Sequence, residues 1–180
     1  MQKTSGVKLV TGTILAATLL CPLSASAQTP APQTPAQPAP AQQAGQVDHY
    51  TPQLLLEHSK SLEAKAATNH GQASDILQKY GVDYTMLAFR SQDGQVELHE
   101  KFADIFIIVD GSATLLSGGE LANPTTLSPG ELHGSAILHP SSTELAKGDV
   151  IHIPANTPHQ MLIPKGGTVT YFVIKVKEKE

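Results

Sequence analysis

A small all-β sandwich or barrel is the fold class this sequence predicts, on three observations. Between Tyr84 and Val176, eight or so short apolar segments rich in Val, Ile and Leu alternate with turn residues. The chain carries 14 glycines and 13 prolines among 180 residues, which suits turns and loops better than a helical bundle. Its helix-like stretches all come before that region, within residues 47–82.

Two segments precede the part expected to fold. Residues 1–27 have the order of a secretory signal peptide: Lys3 and Lys8, an apolar run of roughly 12 residues, then Ala25-Ser26-Ala27 as a small–x–small cleavage pattern. The apolar run is short for a bilayer span. Cleavage after Ala27 would place the mature protein in the periplasm or outside the cell, with no membrane attachment. Leu20 stands before Cys21 where a lipoprotein signal has a small residue, and no twin arginine is present. Cys21 is the only cysteine, which excludes an intrachain disulfide framework and a thiolate zinc site. Residues 28–46 hold proline, alanine and glutamine without charge and predict an extended, disordered linker. About 130 residues remain, enough for one domain. The net charge is −4, and loss of Lys3 and Lys8 with the leader makes it more negative. An acidic domain without a basic run has no means of neutralising phosphates, so nucleic acid is excluded as a partner.

The elements follow in order. Thr51-Pro52 is a helix start, a capping hydroxyl followed by a proline in the first turn. Leu55, Leu62 and Ala66 recur at helical spacing, and Asn69-His70-Gly71 supplies a stop. A second short helix is predicted over 74–80, ended by Gly81, so that residues 47–82 form a helical segment before a barrel domain at 83–180. Strands are predicted over 84–90 and 96–99, joined through a Gln92-Asp93-Gly94 turn. Residues 104–109 (DIFIIV) are a buried β-branched run closed by an Asp110-Gly111 turn, with a further strand at 113–116. Residues 118–134 are rich in Gly, Pro, Ser and Thr and predict a long loop, a lid or an irregular excursion. Strands at 136–138, 143–146, 150–153, 160–163 and 169–176 complete the set, ahead of a charged KEKE tail.

Polar residues interrupt these apolar strands in two places. Glu97 and His99 alternate with Leu98 and so share one strand face. Asp104 opens the next strand after a four-residue gap, which suits a turn back to the same place. Farther on, DVIHIPANTPH runs from a strand through a proline turn to His159 at the start of the next strand. Glu97-x-His99, four residues, Asp104, six residues and Gly111 together resemble the first motif of the cupin superfamily; Gly148, Pro154 and His159 resemble the second. The resemblance covers roughly residues 84–176. Glu97 stands where the family usually has a histidine, Asp104 where it has a glutamate, and Ile163 where an asparagine often closes the second motif. It implies a double-stranded β-helix (jelly-roll) barrel after a short helical N-terminal segment. It also implies a homodimer, since cupins are often dimers.

Two imidazoles and two carboxylates aimed into one cavity are costly unless something pairs them, and a divalent cation does so. Glu97, His99, Asp104 and His159 are therefore the expected metal ligands. A sulfur-free nitrogen and oxygen set suits Mn²⁺ or Fe²⁺ first, with Zn²⁺ also accepted by imidazole. Other roles stay open at two positions: Glu97 can pair with Lys101, and Asp104 can serve as a turn residue. His152 shares the parity of Val150, opposite Ile151 and Ile153, and is expected on the outer face; His133 and His139 fall in loop-like segments. Arg90 and Tyr84 share a strand face and are candidates to hold a small-molecule substrate from inside the barrel. The expected function is an exported metal-binding cupin acting on a small polar molecule by oxygenase- or isomerase-type chemistry. The alternative is a non-catalytic small-molecule or metal-binding module, because the fold by itself does not select between them.

Overall fold

A hydroxyl cap starts the helix, as the Thr51-Pro52 pair requires. In the computed structural model, which describes residues 47–178, α1 (Pro52–Ala66) begins with the Thr51 side chain accepting from the Leu54 N–H at 3.2 Å. The expected signal peptide and linker lie outside the described residues. Leu55, Leu62 and Ala66 are buried along one face of α1. They pack with Leu87, Phe89, Val109 and Phe172, so the helix covers the outer face of a sheet.

The strands are β1 (Gln72–Tyr80), β2 (Asp83–Arg90), β3 (Val96–His99), β4 (Phe102–Ser117), β5 (Glu120–Ala122), β6 (Thr125–Ser128), β7 (Glu131–Gly134), β8 (Ala136–Leu138), β9 (Ser141–Ala146), β10 (Val150–Ile153), β11 (His159–Leu162) and β12 (Val169–Lys177). The main sheet runs β1-β2-β12-β4-β11-β3-β7-β6, with β9 and β10 also paired to β4, and every pairing is antiparallel. β4 belongs to both walls. Its first half pairs with β12 and β10, and its second half with β9 and β11. The sheet therefore curls on itself around a core that includes Phe106, Ile108, Leu115, Leu145, Met161, Tyr171 and Val173. This is the curled, antiparallel jelly-roll architecture expected from the sequence.

Three expectations are corrected. Residues 74–80 form a strand, not a helix: β1 pairs with β2 through a tight turn at Gly81, which has φ +74°. The adjacent apolar pair Ile76 and Leu77 fits no helical stripe, and sheet pairing overrides local propensity. Leu77 packs toward α1 while Ile76 is 44 % exposed. Asp110-Gly111 is not a reversal but a bend inside the 16-residue β4, beside a register shift opposite Thr170 and Tyr171. The segment 118–134 is not a loop, because it contains β5, β6 and β7; β5 pairs with β8, and β7 pairs with β3.

Two glycines with similar backbone angles test why β4 bends where it does. Gly111 has φ +78°, and a Cβ there would lie 2.0 Å from the Thr168 carbonyl oxygen. Gly118 has φ +76° with nothing within 4 Å of such a Cβ. Gly118→Ala is expected to cost about 1–2 kcal/mol from its left-handed backbone alone. Gly111→Ala is expected to cost clearly more, since the start of β12 also has to move. Urea unfolding of both variants measures the difference, and equal losses would contradict the close approach at Thr168.

Candidate metal centre

Register brings the polar residues together. His159 on β11 and His133 on β7 flank Glu97 on β3 in one cross-strand row, and Glu131 on β7 lies opposite His99. On the other wall, Lys175 of β12 lies between Asp104 of β4 and Tyr84 of β2. Residues directly opposite across antiparallel strands share a face, so each row gathers its side chains on one side of its wall. Of these residues, Glu97, His99, Glu131, Tyr84, Asp104 and Lys175 line a cavity of about 540 Å³ that also takes in Met86, Phe106, Tyr171 and Arg90.

Each imidazole has one nitrogen engaged and one bare. His159 Nδ1 lies 2.9 Å from the Thr157 carbonyl oxygen, which can only accept, so Nδ1 carries the proton and Nε2 is bare when the ring is neutral. His99 Nδ1 is hydrogen-bonded to Glu131, which turns its Nε2 inward in the same way. Both Nε2 atoms are buried without a hydrogen-bond partner. His99 Nε2 lies 3.4 Å from Asp104 Oδ2; His159 Nε2 lies 3.5 Å from Asp104 Oδ2 and 3.5 Å from Glu97 Oε1. Glu97, His99 and His159 each offer a ligand atom within 4.8 Å of the others, close enough to share one cation. Orphaned, inward-facing imidazole nitrogens beside a carboxylate fit a divalent ion. A histidine whose other ring nitrogen is held by a carboxylate or a carbonyl is the usual outer support of such a site.

Asp104 has a different neighbour as well. It is 2 % exposed, and Lys175 Nζ lies 2.6 Å from its Oδ1 and 2.8 Å from its Oδ2. Arg90 is held by Tyr171, which accepts from its Nε at 2.8 Å, and by Gln72 Oε1, which accepts from Nη1 at 2.6 Å. Tyr84 meets Phe102 edge-on, with ring centroids 6.1 Å apart.

Of the residues singled out from the sequence, Glu97, His99 and His159 form the group, and Asp104 touches both imidazoles while paired to Lys175. Arg90 and Tyr84 line the same cavity. His152 is exposed on β10, as its parity indicates, and His139 is exposed in the turn before β9. His133 is corrected: it lies in β7 beside Glu97, not in a loop. Two residues went unrecognised. Glu131 sits in the segment taken for a loop, and only strand pairing discloses it. Lys175 left a trace, since it shares the parity of Tyr171 and Val173 in an otherwise apolar strand and must point inward with them.

In both of its sequence motifs the chain resembles a cupin. No protein-family model matches the chain, and neither does any curated protein. Among solved structures, a cupin-2 domain from Rhodospirillum rubrum is similar at 13 % identity and TM-score 0.44, covering 61 % of this chain and 62 % of its own. The DMSP lyase of Ruegeria pomeroyi is similar at 15 % identity and TM-score 0.43, covering 61 % of this chain and 48 % of its own. A cupin 2 conserved barrel domain protein from Rhodopseudomonas palustris is similar at 14 % identity and TM-score 0.43, covering 60 % and 63 %. The chain thus spans less than two thirds of each of these proteins, and no chemistry is carried over from them.

Without a metal, the site holds itself together by charge. Burial raises the Glu97 carboxyl, but the His159 imidazole 3.5 Å away, with His99 and Arg90, outweighs burial and holds it down at about 2. Burial lowers the His159 imidazole, but the neighbouring Glu97 carboxylate, with the Thr157 carbonyl and Asp104, raises it above its ordinary value. Burial, then the negative charges of Asp104, Glu131 and Glu97, push the Tyr84 phenol up. A lowered carboxyl contributes stability above its ordinary 4.5 and loses it as pH falls toward 2. A raised imidazole contributes fully below its ordinary 6.5 and loses it as pH rises through its folded value. The chelator-treated protein is therefore expected to melt highest between about pH 4.5 and 6.5 and progressively lower above that window. Thermal melts of wild type and Glu97→Gln across pH 4 to 9 test this, and an alkaline limb unchanged in the variant would contradict it.

Proposed function

We propose that this chain is an exported, cupin-like protein that holds one divalent cation through Glu97, His99 and His159 and presents it to a small polar molecule in the barrel. The observation that carries the reading is the pair of buried Nε2 atoms without partners, each on a ring whose Nδ1 is already engaged, beside the Glu97 carboxylate. Asp104 is near enough to both imidazoles to join the set, provided it gives up part of its contact with Lys175. The nitrogen and oxygen donors favour Mn²⁺ or Fe²⁺, with Zn²⁺ as the other candidate. A divalent ion bound there would supply Lewis acidity, or a seat for dioxygen if it is iron. Export rests on the leader at residues 1–27, cut after Ala27 and leading to the periplasm or beyond. Among the described residues, no helix is long and apolar enough to cross a membrane.

The chain's own residues then have distinct tasks. Glu131 fixes the tautomer and direction of His99, and the Thr157 carbonyl does the same for His159. Arg90 is held rigidly by Tyr171 and Gln72 and offers its remaining N–H groups toward the cavity. Tyr84 keeps its phenolic proton and is a donor to a bound oxygen. Phe106 and Met86 add apolar walls to the same cavity.

Elemental analysis of the mature protein is expected to find about one divalent ion per chain. His99→Ala and His159→Ala should lose it, while His152→Ala and His133→Ala should keep it; equal losses would place the ion elsewhere. Glu131→Gln is expected to weaken metal binding about tenfold or more. Occupancy should fall from pH 8 to pH 5, as each imidazole takes up the proton that competes with the metal. A screen of oxygen consumption and of small-acid turnover then separates an enzyme from a binding module.

A further inference from the structure

Charge inside the barrel says what kind of molecule the loaded site should accept. Glu97, Asp104 and Glu131 line the cavity, and Arg90 and Lys175 line it with them. Lys65 at the rim is balanced by Asp75, whose two oxygens accept from its Nζ at 2.8 and 2.9 Å. Three carboxylates against two cations leave one negative charge, and a divalent ion turns it into one positive charge. Lys175 is 8 % exposed, and among the described residues Asp104 is the partner that accepts from it. An ammonium has three N–H donors, and the hydrogen bond to Asp104 Oδ2 leaves donors for a ligand. A buried cation is stabilised by an anion more than it would be on the surface.

We infer that the site takes a small molecule bearing a single negative charge, a carboxylate or an enolate, and that Lys175 is the residue that reads that charge. This deepens the proposed metal reading and rests on it. Asp104 has a second part in the arrangement: it holds the ammonium upright beside the imidazoles, where a flexible lysine would otherwise reach for the barrel mouth. Arg90, at the other end of β2, is already committed to Tyr171 and Gln72 and is the less available of the two cations.

The test uses the mature protein loaded with Co²⁺, whose visible absorption reports changes at the metal, in a chloride-free buffer. Acetate and acetamide are the probes, nearly equal in size and different in charge. Acetate is expected to shift the spectrum saturably and to bind at least tenfold tighter than acetamide. Lys175→Met should cost acetate tenfold or more while leaving acetamide within about twofold, and Lys175→Arg should retain most of the acetate binding. Acetate binding no tighter than acetamide in the wild type overturns the inference while the metal reading stands, and this comparison does not depend on any variant folding. Acetate affinity unchanged in Lys175→Met overturns the role of Lys175. Failure of the wild type to take up Co²⁺ overturns the metal reading and this inference with it.

Discussion

Ionisable groups inside an apolar barrel are tolerable only when each has a partner, and that constraint organises this molecule. His99, Asp104, His159 and Lys175 are all at least nine-tenths buried. Asp104 and Lys175 form an ion pair at 2.6 and 2.8 Å, in which Oδ2 accepts from Nζ. The imidazoles satisfy one nitrogen each, through Glu131 and the Thr157 carbonyl, and leave the other bare. An unpaired polar atom at such depth costs on the order of 1–3 kcal/mol. Its persistence in two neighbouring rings, facing one another across a carboxylate, is the physical argument for a cation.

The frame that keeps these groups in place is β4. Because its two halves serve different walls, Asp104 near its start faces Lys175 across one sheet, while Ser117 at its end pairs with His159 in the other. Bending at Gly111 is what lets one strand do both, and the Thr168 carbonyl closes over the place where a side chain would be. A second tie fixes the mouth. The Asn156 N–H donates to the His99 carbonyl at 2.8 Å, and its side chain donates to the Glu100 carbonyl at 3.2 Å. The turn between β10 and β11, which delivers His159, is thereby fastened to the strand that carries His99.

The helix stands apart from this chemistry. α1 seals the outer face of the β2–β12–β4 sheet, with Leu62 fully buried against Leu87 and Phe172. That sheet presents alternate residues to the two sides: Leu87 and Phe89 go to the helix, whereas Tyr84, Met86 and Arg90 go to the cavity. Covering one face of the sheet thus holds the other in register for the site.

By itself the sequence determined the class of the fold and that Glu97 and His99 share one strand face. Strand periodicity, turn residues and the short-range spacings Glu97-x-His99 and Pro154 to His159 are local, and local geometry decides which side chains share a face. Three things were decided only by tertiary structure. Residues 74–80 became a strand because β2 offered an edge to pair with, which no local propensity encodes. The segment 118–134 became sheet because β3 and β8 lay beside it, and with it came Glu131 against His99. Lys175 met Asp104, 71 positions away in the chain, because β12 and β4 run antiparallel in one particular register. Contacts of that range follow from which strands end up adjacent, and adjacency is a property of the whole folded sheet, set by how its apolar faces are buried together.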